Sequence, residues 1–198
     1  MRVEIIQELE SADPKLEIPW AIPHNARLRF IDLKKFPQKI EHLEECRKYP
    51  PLASLLRKVN VAGSALYTAK CDVWTTTKLA EDERLDFKMR YKIGSYVDLL
   101  FDSKRLNSNL KSHLRLGEKL GGLLSHCRIQ AQIEIAVRRC LFHPKERWGY
   151  YLTVFVHAYG TTRTQAKREW GRAVDCLGDA LSKIEPEYHR KSPKELKP

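Results

Sequence analysis

Long apolar runs are missing from this 198-residue chain, and none approaches the roughly 18 residues that a membrane-crossing helix needs. A basic start is missing too. The first twenty residues set Arg2 and Lys15 against Glu4, Glu8, Glu10, Asp13 and Glu17, the reverse of a secretory signal, and no lipidation motif is visible. Cysteine is sparse. Cys46, Cys71, Cys127, Cys140 and Cys176 are odd in number, scattered, and form no CxxC pair, which argues against a secreted disulfide framework. Together these absences predict free thiols and an intracellular place, cytoplasmic or nuclear.

Catalytic signatures are equally scarce. No GxSxG, HExxH, GxxxxGK[ST] or GxGxxG motif occurs, and the seven histidines are dispersed. His126, Cys127, Cys140 and His143 superficially resemble a Cys/His zinc set, but a strand between the two cysteines would hold them roughly 40 Å apart. We therefore expect no metal, no cofactor and no catalytic residues.

Positive charge is what the chain has in excess: 36 Lys and Arg against 25 Asp and Glu, a formal net charge of +11. A field of that sign attracts polyanions, whether nucleic acid, acidic lipid heads or an acidic protein face. Hydrophobic residues at 42% suffice for a packed core at this length.

Three stretches divide the chain: an extended arm over 1–25, one α+β domain over 26–185, and a charged tail over 186–198. The arm is punctuated by Pro14, Pro19 and Pro23, with Ile18, Trp20 and Ile22 alternating between them. Such a segment docks on its own domain or links to a neighbouring subunit. Leu28–Leu33 reads as the first strand. Pro37 opens a helical stretch that Pro50 and Pro51 must break. Residues 64–77 read as a strand. Over 85–93, Leu85, Phe87, Met89, Tyr91 and Ile93 alternate with polar residues, as a strand with one buried face does. Tyr96–Phe101 resumes after Gly94. A helix over 106–126 carries Leu106, Leu110, Leu114, Leu120 and Leu124 inward, with Gly117, Gly121 and Gly122 admitting a close neighbour. Residues 129–138 and 150–157 form a hairpin. A last helix over 162–184 is capped by Thr161 or Thr162 and buries Trp170, Val174, Leu177, Leu181 and Ile184.

The resulting order, β-α-β-β-α-β-β-α, predicts a mostly antiparallel sheet with helices packed on one side, and it contains the βαββαβ order of a ferredoxin-like core. That order resembles RNA-recognition modules, which carry aromatics on two central strands. Leu28–Leu33 and Lys92–Val97 would occupy those places, though their spacing departs from the module's motif.

Two basic groups stand out. Lys104, Lys111, Arg115 and Lys119 fall within about 80° of one another on a helical wheel. Their spacing of about 6 Å resembles that of successive phosphates. Arg138, Arg139, Lys145 and Arg147 cluster at the hairpin with Trp148 and Tyr151, and such interleaving suits single strands, whose bases stack while cations hold phosphates. The reading is a non-enzymatic nucleic-acid-binding protein, RNA ahead of DNA. Its alternative is an assembly protein, such as a viral matrix-like layer protein, self-associating through Ile18, Trp20 and Ile22 and meeting acidic lipid or a nucleocapsid. A third, an enzyme of unrecognised type with a Cys or His nucleophile, requires one low-pKa thiol.

Overall fold

The computed structural model describes residues 1–13, 15–79, 81, 83, 89–184 and 186–189. The chain opens on β1 (Arg2–Glu8), followed by β2 (Lys15–Ile18) and a small hairpin of β3 (Ala21–Ile22) and β4 (Asn25–Arg29). A 3-10 turn (Pro37–His42), α1 (Glu44–Lys48) and α2 (Pro50–Val59) lead to β5 (Leu66–Thr76) and β6 (Tyr91–Phe101). Then come α3 (Lys104–Asn107), α4 (Leu110–Ser125), β7 (Ala131–Phe142), β8 (Arg147–Gly160), α5 (Arg163–Ile184) and a last turn, α6 (Pro186–His189).

The main sheet runs β1-β7-β8-β6-β5, and β2 continues along the β7 edge where β1 leaves off. β5, β6, β8 and β7 are each antiparallel to the next, while β1 and β2 run parallel to their neighbour β7. The mixed α+β class and the mostly antiparallel open sheet are therefore as expected. The ferredoxin-like order is not found. That motif places its first strand inside the sheet, whereas here the first strand lies at the edge, and two adjacent hairpins fill the rest.

The first strand is also a different segment. Residues 2–8, read as part of an arm, enter the sheet because Val3 and Ile5 can pack under α4. The segment expected as the first strand, Leu28–Leu33, falls partly in β4, which pairs only with β3. Residues 85–88 of the alternating stretch lie outside the described residues, and β6 begins at Tyr91. It passes Gly94 unbroken, since a Cβ there would lie 2.5 Å from the Trp74 indole: the missing side chain seats that ring on the sheet.

Helices cover one face. In α5, Trp170, Val174, Leu177, Leu181 and Ile184 are all buried, with the helical periodicity of the sequence, and Thr162 Oγ1 accepts from the Gln165 N–H at 3.1 Å as a cap. Trp170 is fully buried and its Nε1–H donates to Ser95 Oγ at 2.9 Å, so the indole enters the core without leaving a polar group unpaired. A Cβ at Gly171 would lie 3.2 Å from Pro51 and one at Gly178 3.2 Å from Lys58, so the two glycines let α2 lie against α5. In α4, a Cβ at Gly121 would lie 3.0 Å from Ile5, so this glycine admits the β1 side chain, as the glycines of this helix suggested.

On the opposite face a polar network crosses β1, β7, β8 and β6. Glu8 accepts from Arg138 Nε at 2.6 Å, Arg138 Nη1 donates to Thr153 Oγ1 at 3.3 Å, and Thr153 Oγ1 donates to Asp98 Oδ1 at 2.7 Å. Asp98 is 4% exposed, and burial raises its pKa to about 6 against the partial relief given by Thr153 and Arg138.

Two outcomes follow. Trp170→Ala should cost about 3–5 kcal/mol in denaturant unfolding, and Trp170→Phe less, because the ring volume is partly kept while Ser95 Oγ loses its donor. A carboxyl whose folded pKa exceeds its unfolded one stabilises below the unfolded value, near 3.8, and that contribution is lost as pH rises through about 6. Asp98→Asn should therefore exceed wild type in stability at pH 7, by up to about 3 kcal/mol, and lose that advantage between pH 6 and 4. Buried His113 and half-buried His157, held down to about 4 chiefly by desolvation, act with the opposite sign but cancel in this comparison. Melting temperatures of both proteins across pH 4–8 read this directly.

Candidate nucleic-acid interface

At the end of the sheet where β7 turns into β8, the arm folds over the face that the helices leave bare. Leu16 and Ile18 are buried there against Ala69, Leu100, Cys140 and Tyr151, and Trp20, Phe30, Tyr67 and Phe142 pack around them. Trp20 Nε1 donates to the Ala69 carbonyl at 2.6 Å, with the Lys70 ammonium 5.4 Å from its ring centre. Beside this small core lies a cleft of about 720 Å³. Its walls come from the end of β2, the 30–36 segment, the α3 region and the 142–147 turn.

Asn107 builds one wall. The pairing of β6 with β8 stops at Leu99 and Leu152, and Asn107 takes over where the strand ends. Its Oδ1 accepts from the Phe101 N–H at 2.8 Å and its Nδ2 donates to the Phe101 carbonyl at 2.6 Å, so the side chain acts as a short strand. Gly149 makes room for this turn, since a Cβ there would lie 2.8 Å from the Asn107 carbonyl oxygen. Ser103 Oγ accepts from the Leu106 N–H at 3.5 Å, and Lys104 is presented to the cleft.

The charge on the lining is unevenly spent. Lys34, with a 15% exposed side chain, bonds the Ser64 carbonyl at 2.5 Å and meets Asp102 at 3.3 Å, while Lys35 meets Asp32 at 3.4 Å. His143 faces Glu17 at 3.3 Å. Lys104, Lys145 and Arg147 have no carboxylate partner among the described residues, and the Arg147 guanidinium lies 5.3 Å from the Phe142 ring centre. Phe36, 49% exposed, stands in water beside them. The cleft thus combines free cations with an accessible aromatic face, which is what a stacked base and its phosphate need.

The residues singled out from sequence are divided by this geometry. Lys104, Lys145 and Arg147 meet in the cleft with Ile18. Lys111, Arg115 and Lys119 lie on α4, separate from Lys104, because the chain breaks at Ser108 and Asn109 instead of forming one helix over 106–126. Glu187 of the last turn contacts Lys119 and lies 4.0 Å from Arg115, so the stripe is partly neutralised. Arg138 is committed to Glu8 and Arg139 is exposed elsewhere. Tyr151, expected as a stacking ring, is 3% exposed beneath the arm. Trp148 is 54% exposed but pairs with Leu141, one residue off the Arg147–Phe142 pair, and so points to the other face of the hairpin, under the Lys15 ammonium. Of the arm residues, Ile18 is buried and Trp20 bonded on their own chain, while Ile22 is 42% exposed.

Lys34, Lys35, Phe36, Tyr67 and Phe142 were not anticipated. The run Lys34-Lys35-Phe36-Pro37 carries the signal, two cations and an aromatic ahead of the proline that opens the helical stretch. Burial pushes the Cys46, Cys140 and Cys176 thiols up to about 11, 12 and 11, and Cys71 up as well, the reverse of an activated nucleophile. Among the described residues no group of three or more His, Cys, Asp and Glu side chains could hold a metal ion, and no helix is long and apolar enough to cross a membrane. No family model, no curated protein and no solved structure matches this chain.

Asn107→Ala should leave both Phe101 backbone groups without their side-chain partner and cost about 1–3 kcal/mol. Faster amide exchange should be confined to the end of β6 and to α3. Unchanged exchange there would mean that Asn107 does not hold the wall.

Proposed function

We propose that this chain binds single-stranded nucleic acid, RNA ahead of DNA, in the cleft beside the β7–β8 turn, without acting on it chemically. The observation that carries the reading is the convergence of Lys104, Lys145 and Arg147, free of carboxylate partners among the described residues, on a cleft edged by the half-exposed ring of Phe36. Bases stack on rings with little sequence preference, and cations hold the intervening phosphates. Lys111 and Arg115 on α4 offer further phosphate contacts, weakened by Glu187. Use of Ile18 and Trp20 within their own chain leaves the assembly reading with less of the surface it invoked.

A single-stranded RNA of about ten nucleotides, compared with the same sequence as DNA and with a duplex, tests this across a salt series. Lys104→Glu, Lys145→Glu and Arg147→Glu combined should abolish tight binding, and charge-neutral replacements should lower the log–log salt slope by about 2, at about 0.7 per lost phosphate contact. Phe36→Ala should weaken binding by about 1–3 kcal/mol while keeping the slope. Lys111→Glu with Arg115→Glu should have the smaller effect. A folded triple variant with wild-type affinity would remove the cleft from the account.

A further inference from the structure

The other end of the sheet holds a second cavity, of about 680 Å³, between the C-terminus of α1, the first turn of α5 and the ends of β5 and β6. It lies on the order of 30 Å from the hairpin cleft, because β6 spans the distance between them. Its chemistry differs from that of the cleft. Among the described residues no carboxylate lines it, and Lys48, Lys78, Arg163 and Lys167 surround it from three separate elements. All four side chains belong to exposed residues.

How those cations are compensated decides what the cavity can hold. Lys48 pairs with Glu44 one helical turn away on α1, outside the lining. Among the described residues Lys167 Nζ reaches the Lys48 carbonyl at 3.4 Å and no carboxylate, and lies 5.3 Å from the Tyr49 ring centre. Lys78 and Arg163 have no carboxylate partner among the described residues. Lys92 also touches the cavity, but its ammonium pairs with Glu83, so it adds little charge there. Like charges gathered round one space repel unless an anion enters. The hydroxyls of Thr76, Thr77 and Thr164 add neutral donors to the wall, and the first turn of the 22-residue α5 carries no acidic residue to occupy its positive end. The rings of Tyr49 and Tyr91 close the remaining side.

We infer that this cavity is a site for a small molecule carrying two or more phosphate groups, with a nucleoside triphosphate as the fitting probe. Several phosphates can meet cations on three elements at once, where a single phosphate would engage one or two. The volume suits a nucleotide-sized ligand. The two tyrosines provide apolar surface for a ring.

Calorimetric titration of the full chain with ATP and with inorganic tripolyphosphate at about 0.1 M salt separates the two sources of polyphosphate. Both should saturate at one site, and a tighter ATP signal would assign the difference to Tyr49 and Tyr91. Lys78→Glu with Arg163→Glu should weaken both ligands at least tenfold, while the Lys104, Lys145 and Arg147 triple variant should bind them as wild type does. Both positions are exposed, and Lys78→Gln with Arg163→Gln, checked by melting temperature, separates loss of the site from loss of the fold. Absence of saturable binding to the wild type would overturn the inference. So would equal loss in the hairpin triple variant, or loss of RNA binding in the Lys78/Arg163 variant with RNA binding intact in the triple variant, which would assign the cavity to the polymer. Because the two variant sets lie at opposite ends of the sheet, absence of polyphosphate binding by itself leaves the hairpin reading standing, whereas the last outcome removes both.

Discussion

The hydrogen bond from the Trp170 indole to Ser95 is the contact around which the rest of the structure is organised. It fixes the middle of α5 over β6 at a point where the largest core side chain would otherwise bury an unpaired N–H. With that helix fixed, Gly171 and Gly178 allow α2 to pack beside it, and α4 takes the remaining strip of sheet next to β1. The helical layer is then complete on one face. On the other face the arm lies at one end, and a polar network and the rings of Trp74, Tyr96, Phe155 and His157 lie along the rest.

This one-sided covering places the two cavities. Where β7 turns into β8 the helices do not reach, so the arm, Asn107 and the 30–36 segment close the sheet and leave a cleft between them. At the opposite end α5 has to begin immediately after β8, and its first turn, with α1 and the ends of β5 and β6, encloses the second. The two share an excess of positive charge but differ in kind. The cleft mixes carboxylates with cations and offers aromatic and apolar walls, while among the described residues the second cavity is lined by cations and hydroxyls without a carboxylate.

The helices and hairpins were legible because their signals are local. The apolar spacing of Trp170, Val174, Leu177, Leu181 and Ile184 and the alternation of Ala131, Ile133 and Ile135 with Gln132 and Glu134 each determine which face turns inward. Strand order was not legible, since it depends on which edge Val3 and Ile5 reach, and their polar neighbours gave residues 2–8 the look of an arm. The site was half legible for the same reason. Lys145 and Arg147 lie together in sequence, but Lys104 joins them only through the break at Ser108 and Asn109, and Phe36 only through the path of the 30–36 segment. Charge alone could not separate Arg138 from Lys104, because the carboxylate that claims Arg138, Glu8, lies 130 residues away.

Photo-crosslinking of a short single-stranded RNA to the full chain, with the attached residues identified by mass spectrometry, addresses the central claim most directly. Adducts at Phe36 and along 142–147 are the predicted result. Adducts confined to α4 between Lys111 and Lys119, or to the cavity at the first turn of α5, would contradict it.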